Sequence, residues 1–359
     1  MAIQDFVQDA SRWMREEGPQ ADIVISTRIR IARNLIEHPF PMLANDNQSH
    51  VILEKIRRAV ESPEFREAGG GHYEFLQLAT VPALDLQALS EKYLISTTLA
   101  DEAKRGAVAI RSDEAVSLMV NEEDHLRLQV LMPGLQLSNA WALANRIDDV
   151  LESKLNYAFD EQLGYLTACP TNVGTGIRAS VMLHLPALVV TQGINRILPA
   201  LGQVGLVVRG VHGEGTDAVG NLFQVSNQIT LGQSEEEIVQ NLESVVHKII
   251  EHEMEARNFL LRESRETIED KIARSFGILS FARRLDNKET MQRLSDVRLG
   301  IDLGIINGLS KNILKELMVM TQPGFLQRQV GSDMAPGERD WKRAELIRQR
   351  LRESQGHIS

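Results

Sequence analysis

Only one cysteine, Cys169, occurs in 359 residues, so no intramolecular disulfide can form and a reducing compartment suits the chain. No uncharged apolar stretch approaches a membrane span, and residues 1–15 lack a basic region followed by an apolar run. These absences predict a cytoplasmic protein without a membrane anchor. The P-loop lysine after a spaced glycine pair is missing throughout. There is neither an internal repeat nor a low-complexity segment. With a formal net charge of -10 and a pI near 5.5, the chain as a whole does not suit direct nucleic-acid binding, although a local basic groove remains open.

The most informative absence is local. Residues 162–213 contain no Asp or Glu, yet they hold Arg178, Arg196 and Arg209. A positive field inside an acidic chain points to a small anionic ligand. Within this window lies Cys169-Pro170-Thr171-Asn172-Val173-Gly174-Thr175-Gly176-Ile177-Arg178, where glycines would let backbone N–H groups approach an anion. Gly174 to Ala179 matches the loose dinucleotide fingerprint, but no acidic residue follows about twenty positions later to hold a ribose.

What is present is ordinary in bulk and patterned in detail. Apolar residues make up 43% and charged residues 25%, enough for two domains with a sizeable core. Residues 23–31 alternate with a period of two, which places Arg28 and Arg30 on one strand face. Further strands are expected at 74–78, 111–120, 126–131, 164–168, 180–185, 206–209 and 222–231. Helices are expected at 45–61, opened by Asn47 or Ser49, at 84–104 and at 139–157. The loop from Gly210 to Gly215 reads as a lid. At Ser234 the character changes: Ser234 and Glu237 form a capping box that opens a long helix to about Arg262. Helices follow at 267–285, 288–303, 311–320 and 338–353. The pattern predicts an α/β domain with a mostly antiparallel sheet, then an all-helical domain.

Several residues carry two readings. Arg28, Arg30, Arg127, Arg178 and Arg209 could each be a solvated surface arginine, but together, at strand ends and special loops, they suit a clamp on a triphosphate. Glu122, Glu123 and Asp124 are either a solvated turn or carboxylates for Mg²⁺ and proton transfer. Glu214 is either a loop acid or part of the same site. Cys169 is a small buried hydrophobe, or a thiolate favoured by the nearby arginines. His247 and His252 miss the zinc-helix spacing by one residue and read as ordinary helix residues. Arg339 and Arg343, one turn apart, form an exposed basic helix face or grip a phosphate.

Taken together, Ser26-Thr27-Arg28-Ile29-Arg30, Asn121-Glu122-Glu123-Asp124-His125-Leu126-Arg127, the Cys169 to Arg178 stretch, and Arg209-Gly210 with Glu214 resemble the phosphagen kinase superfamily, the ATP:guanidino phosphotransferases. The resemblance covers about the first 260 residues. It implies an α+β fold, with a mostly antiparallel sheet flanked by helices (1–262) and an all-α C-terminal domain (263–359). Arg28, Arg30, Arg127, Arg178 and Arg209 would bind ATP phosphates. Glu123 would be the catalytic carboxylate, with Glu122 meeting Mg²⁺ through water and no direct protein ligand to the metal. Glu214 and Cys169 would hold the guanidinium, Asn172 would shape the loop, and Tyr93 would sit where relatives often have a histidine near adenine.

The first phosphate-binding strand starts near residue 23, so the resemblance implies that the small N-terminal domain of the metabolic members is missing and that a helical domain follows residue 262 instead. That arrangement is similar to the branch that phosphorylates arginine side chains in proteins. It implies Mg²⁺ and ATP, protein substrates with exposed arginine, a homodimer, a zinc-containing activator protein, a stress-response repressor, and the Clp protease system. Arg339, Asp340, Arg343 and Ala344 would form an allosteric phosphoarginine site. A kinase for free arginine, or a non-catalytic phosphoarginine-binding regulator, are the alternatives.

Overall fold

The computed structural model describes residues 3–8, 10–210 and 218–356. Two short helices, α1 (Ile3–Gln8) and α2 (Arg12–Arg15), precede β1 (Val24–Arg33). Then come α3 (Asp46–Val60), α4 (Pro63–Gly69), β2 (Tyr73–Gln77), α5 (Ala83–Glu91), α6 (Thr97–Asp101), β3 (Ala107–Arg111), β4 (Val116–Val120), β5 (Leu126–Pro133) and α7 (Leu137–Glu152). A small ribbon of β6 (Phe159–Asp160) and β7 (Gly164–Tyr165) leads to β8 (Ile177–His184), α8 (Pro186–Val190), α9 (Ile194–Gln203), β9 (Leu206–Gly210) and β10 (Leu222–Asn227). The rest is helical: α10 (Glu235–Glu263), α11 (Arg265–Phe281), α12 (Asn287–Asp302), α13 (Ile313–Met320), α14 (Pro323–Val330) and α15 (Pro336–Gly356).

Eight strands form one sheet in the order β2-β3-β4-β5-β1-β8-β10-β9, and every pairing is antiparallel. Alternation gives the sheet two faces. One face packs Ile29, Ile31, Leu128, Val130, Val181 and Val225 against apolar residues of α3, α7 and α10. The other supplies Val108, Ile110, Met119, Leu131 and Met182 to a second core, shared with Leu294, Val297, Leu314, Leu317, Phe325 and Ile347 of the C-terminal helices. Polar and cationic side chains occupy the middle of this second face, where packing leaves a hollow.

Local chemistry explains where the segments begin and break. The Ser234 capping box is present as expected, with Ser234 accepting from the Glu237 amide and the Glu237 carboxylate accepting from the Ser234 amide. The third helix begins earlier than its Asn47 and Ser49 signals suggest, because Asn45 and Gln48 form a capping box of their own. The expected strand 111–120 is a hairpin: β3 ends at Arg111, whose guanidinium is held by Asp113, and Glu114 turns the chain with φ 61. The helical spacing over 84–104 is broken at Tyr93, which has φ 63, so α5 and α6 are separate. Of the expected strand at 164–168, only Gly164–Tyr165 pairs.

Candidate active site

The cations expected to share a surface do so through strand register. Arg30 of β1 lies opposite Gln129 of β5 and Arg178 of β8, while Arg28 lies opposite Ser180. Arg127 precedes Gln129 by two positions and so faces the same way. On the far edge Arg209 of β9 pairs with Gln224 of β10, which in turn pairs with Met182 of β8. Arg28 Nη2 donates to Gln224 Oε1 at 2.9 Å. Arg178 Nη2 reaches Ser226 Oγ at 3.4 Å.

No carboxylate neutralises most of this row. Among the described residues Arg28, Arg30, Arg178 and Arg209 form no ion pair, and Arg30 Nε is buried without a partner. Burial pushes the Arg28 guanidinium down to about 10, with Arg127 and Arg178 adding to it against Tyr93. Burial likewise holds Arg30 well below the usual arginine range, reinforced by Arg28, Arg127 and Arg178. Arg178 is lowered by burial, then by Arg209 and Arg127. Cations that lower one another are a ready site for a polyanion. Arg28, Arg30 and Arg127 open into a cavity of about 360 Å³ that is also lined by Tyr93, Gln129 and Gln322, whereas Arg178 and Arg209 do not line it. Tyr93 sits on this wall, its carbonyl accepting from Gln129 Nε2 at 2.6 Å. Burial pushes its hydroxyl up to about 12.

The carboxylates flank the cations. Arg127 Nη1 donates to both Glu122 oxygens at 2.7 and 2.6 Å. Ser96 Oγ adds a bond at 2.6 Å, and the Glu123 amide adds another at 2.9 Å. Burial raises the Glu122 carboxyl, but these partners outweigh it and hold it below its ordinary value. Glu123 is exposed beside it. Asp124 is buried and accepts from Asn34 Nδ2 at 2.5 Å and the Ala168 amide at 2.7 Å. It thereby ties the carboxylate turn to the Cys169 segment. His125 Nδ1 accepts from the Leu35 amide at 3.0 Å, which leaves Nε2 to donate to Pro39 O at 2.9 Å. Burial pushes this imidazole down to about 4, so it remains a neutral bracket.

Cys169 is partly buried, with Sγ 3.0 Å from Thr171 Oγ1, and near enough to Arg178 to raise that cation's proton affinity. The Asn172 amide closes a turn on Cys169 O at 3.0 Å. The Gly174 amide does not face outward as expected: it donates to Tyr165 O at 3.2 Å. Gly176 has φ 65, and a Cβ there would lie 2.7 Å from Ala32 O; close packing against β1 requires it. Arg33, buried at the end of β1, fixes the same stretch: Nη1 donates to Thr175 O at 2.8 Å and Nη2 to Asp148 at 2.7 Å.

Glu214 lies outside the described residues, as does most of the loop expected to act as a lid. At the C-terminus Arg343 is buried, donating from Nε to Thr321 O at 2.9 Å and from Nη1 to Leu285 O at 2.9 Å and Asp340 at 2.8 Å. Ala344 is fully buried. Arg339 Nη1 donates to Met334 O at 3.1 Å. Asp340 and Arg343 thus hold α15 in place, whereas Arg339 is only partly covered.

Sequence reasoning overlooked Ser96, Asn34, Arg33 and Gln322. Ser96 carried a helix-start signal, and it does accept from the Leu99 amide. Its second bond, to Glu122 26 positions away, had no local signal.

Comparison with known proteins accords with this geometry. Residues 52–256 match the ATP:guanido phosphotransferase C-terminal catalytic domain, and residues 265–358 match the protein-arginine kinase McsB C-terminal domain. The chain is 56% identical to the protein-arginine kinase of Brevibacillus brevis over 98% of both chains. It is 54% identical to that of Halalkalibacterium halodurans over 98% of both chains. Among solved structures, the substrate-free duplicated taurocyamine kinase of Schistosoma mansoni superposes with a TM-score of 0.55 at 23% identity, covering 70% of this chain and 38% of that one.

Proposed function

This chain belongs to the ATP:guanido phosphotransferase family, on its protein-arginine kinase branch, and from that premise we propose which residues carry its reaction. Transfer of the γ-phosphoryl of ATP to the guanidinium of arginine side chains in proteins is the activity of this branch and of this chain. The observation that supports the residue assignment best is an arginine row in which, among the described residues, Arg127 alone has a carboxylate partner, Glu122, so that the row ends at paired glutamates.

A guanidinium is delocalised, cationic and a poor nucleophile, so one nitrogen must be fixed in line with phosphorus and relieved of its proton. Arg28, Arg30, Arg127, Arg178 and Arg209 hold the phosphates and neutralise charge that develops on them. Glu123, exposed at the cavity rim, takes the proton as nitrogen bonds to the γ-phosphorus and the bond to ADP oxygen breaks. Cys169 and Glu214 align the guanidinium, Asn172 shapes the loop around it, and Tyr93 lies on the nucleotide wall. Mg²⁺ would be carried by phosphate oxygens, with Glu122, held by Arg127 and Ser96, reached through water. Bound there, it supplies charge neutralisation to the transferring phosphoryl.

The same proposal takes residues 1–262 as the catalytic domain and 263–359 as a dimerisation and phosphoarginine-sensing domain, with Arg339 as its most accessible cation. The reading extends to a cytoplasmic homodimer that marks proteins for the Clp protease system in the stress response, alongside a zinc-containing activator and a stress-response repressor.

The test is incubation with Mg²⁺ and ATP, offering an unfolded arginine-rich protein or free arginine, and following acid-labile, base-stable phosphate. Label on protein is expected. Label on free arginine alone points to a small-guanidine kinase, and no label with tight phosphoarginine binding points to a regulator. Glu123→Gln should keep nucleotide affinity and lose turnover by about a hundredfold or more; near-normal turnover would remove Glu123 as the base.

A further inference from the structure

Two apolar side chains stand far into solvent beside the carboxylates: Met42 is 72% exposed and Leu43 74%. The turn that carries them is fixed to the catalytic segment at both ends. His125 Nε2 donates to Pro39 O at 2.9 Å, and Arg105 Nη1 donates to Ala44 O at 2.7 Å. Internally, the amides of Leu43 and Ala44 both return to Phe40 O, at 2.8 and 3.0 Å. Arg105 is itself steadied by Asp46, and Asn121 Nδ2 clips Arg105 O and Ser49 O at 3.1 and 2.9 Å. Holding two large apolar groups in water on a braced turn has no benefit for the isolated chain.

A cavity of about 530 Å³ continues from this ledge to the site, with Pro41 and Met42 on one side and Glu122, Glu123 and Arg127 on the other. An arginine side chain entering toward Glu123 must bring its own polypeptide across this opening. Neighbouring residues of an extended segment follow at about 3.3 Å each. The occupant that satisfies both halves of the cavity is therefore a polypeptide with arginine at the carboxylates and an apolar side chain nearby.

We propose that Pro41, Met42 and Leu43 form a specificity ledge that receives an apolar residue flanking the target arginine of the protein substrate. The ledge favours segments that are extended and carry exposed apolar side chains, as unfolded chains do. This rests on the protein-arginine kinase reading and adds a residue preference to it.

The experiment compares two peptides of equal length and charge, each with one arginine, flanked by leucines in one and by serines in the other. The kcat/KM of each is measured with Mg²⁺ and ATP for the full chain and for a Met42→Ser, Leu43→Ser double variant. The unaltered chain should favour the leucine peptide by about tenfold, the gain from burying roughly half of a leucine side chain on each contact. The double variant should lose that preference through a higher KM, with the serine peptide and ATP affinity unchanged; the retained ATP affinity establishes that the variant is folded. A Met42→Leu, Leu43→Met swap should preserve the preference. Equal use of both peptides by the unaltered chain, or a preference that survives in the double variant, overturns the ledge. If neither peptide nor any protein is labelled, the protein-arginine kinase reading itself falls.

Discussion

Replacing Arg30 with methionine should weaken ATP binding strongly while leaving the empty protein no less stable. Among the described residues Arg30 forms no ion pair, its Nε is buried unbonded, and Arg28, Arg127 and Arg178 oppose its charge more than Glu122 supports it. A triphosphate would remove that penalty by accepting charge-assisted hydrogen bonds, each about 1.5–3 kcal/mol. Losing two of them costs about 3–6 kcal/mol, which corresponds to roughly a hundredfold to ten-thousandfold in Kd. In the empty protein the same substitution removes a desolvated cation and keeps the volume of an unbranched side chain, so stability should hold or rise by about 1 kcal/mol. Calorimetric titration with Mg-ATP reads the first effect, and thermal melting with and without ATP reads both. At ATP a hundredfold above Kd the unaltered chain should gain about 2.7 kcal/mol, whereas the variant gains almost nothing at the same concentration. A variant that melts several degrees lower yet binds ATP normally would refute the reasoning, because Arg30 would then be a structural residue.

Three other substitutions probe the supports and the C-terminal helix. The Glu122 carboxyl is held below its ordinary value, so its folded pKa lies under its unfolded one: the stability it gives is present above the unfolded value and lost as pH falls through the folded one. Ser96→Ala removes one of the bonds that lower it, so acid unfolding should begin at higher pH and neutral stability should drop by about 1.5 kcal/mol, as urea midpoints across pH would record. Arg343→Met leaves Leu285 O, Thr321 O and Asp340 without their donor and should cost about 3–5 kcal/mol in urea unfolding. Arg339→Ala, at a partly covered site with one backbone bond, should cost under about 1 kcal/mol. It therefore offers a cleaner measurement of phosphoarginine affinity than any change at Arg343.

The period of two in β1 was enough to put Arg28 and Arg30 on one face, and the acid-free window was enough to anticipate that the cations of β8 and β9 have no ion pair among the described residues. Both signals are local, because strand alternation and charge composition are properties of contiguous residues. The Ser234 capping box was legible for the same reason. The twist of the chain at Tyr93 and the turn at Glu114 were harder, since left-handed backbone at a non-glycine residue has no strong local signal, whereas the Asn45–Gln48 capping box is a local pattern that sequence reasoning overlooked in favour of Asn47 and Ser49.

What only the tertiary structure decided was which distant groups complete the site. Ser96 reaches Glu122, Asp124 reaches the Ala168 amide, and Gln322 of the C-terminal region lines the cavity of the first arginine strand. Arg343, which sequence alone left between a solvated helix face and a phosphate grip, proves buried on backbone carbonyls 22 and 58 positions away. Those outcomes depend on where helices dock against a sheet face, and docking is set by the summed burial of many side chains, which no short stretch of sequence contains.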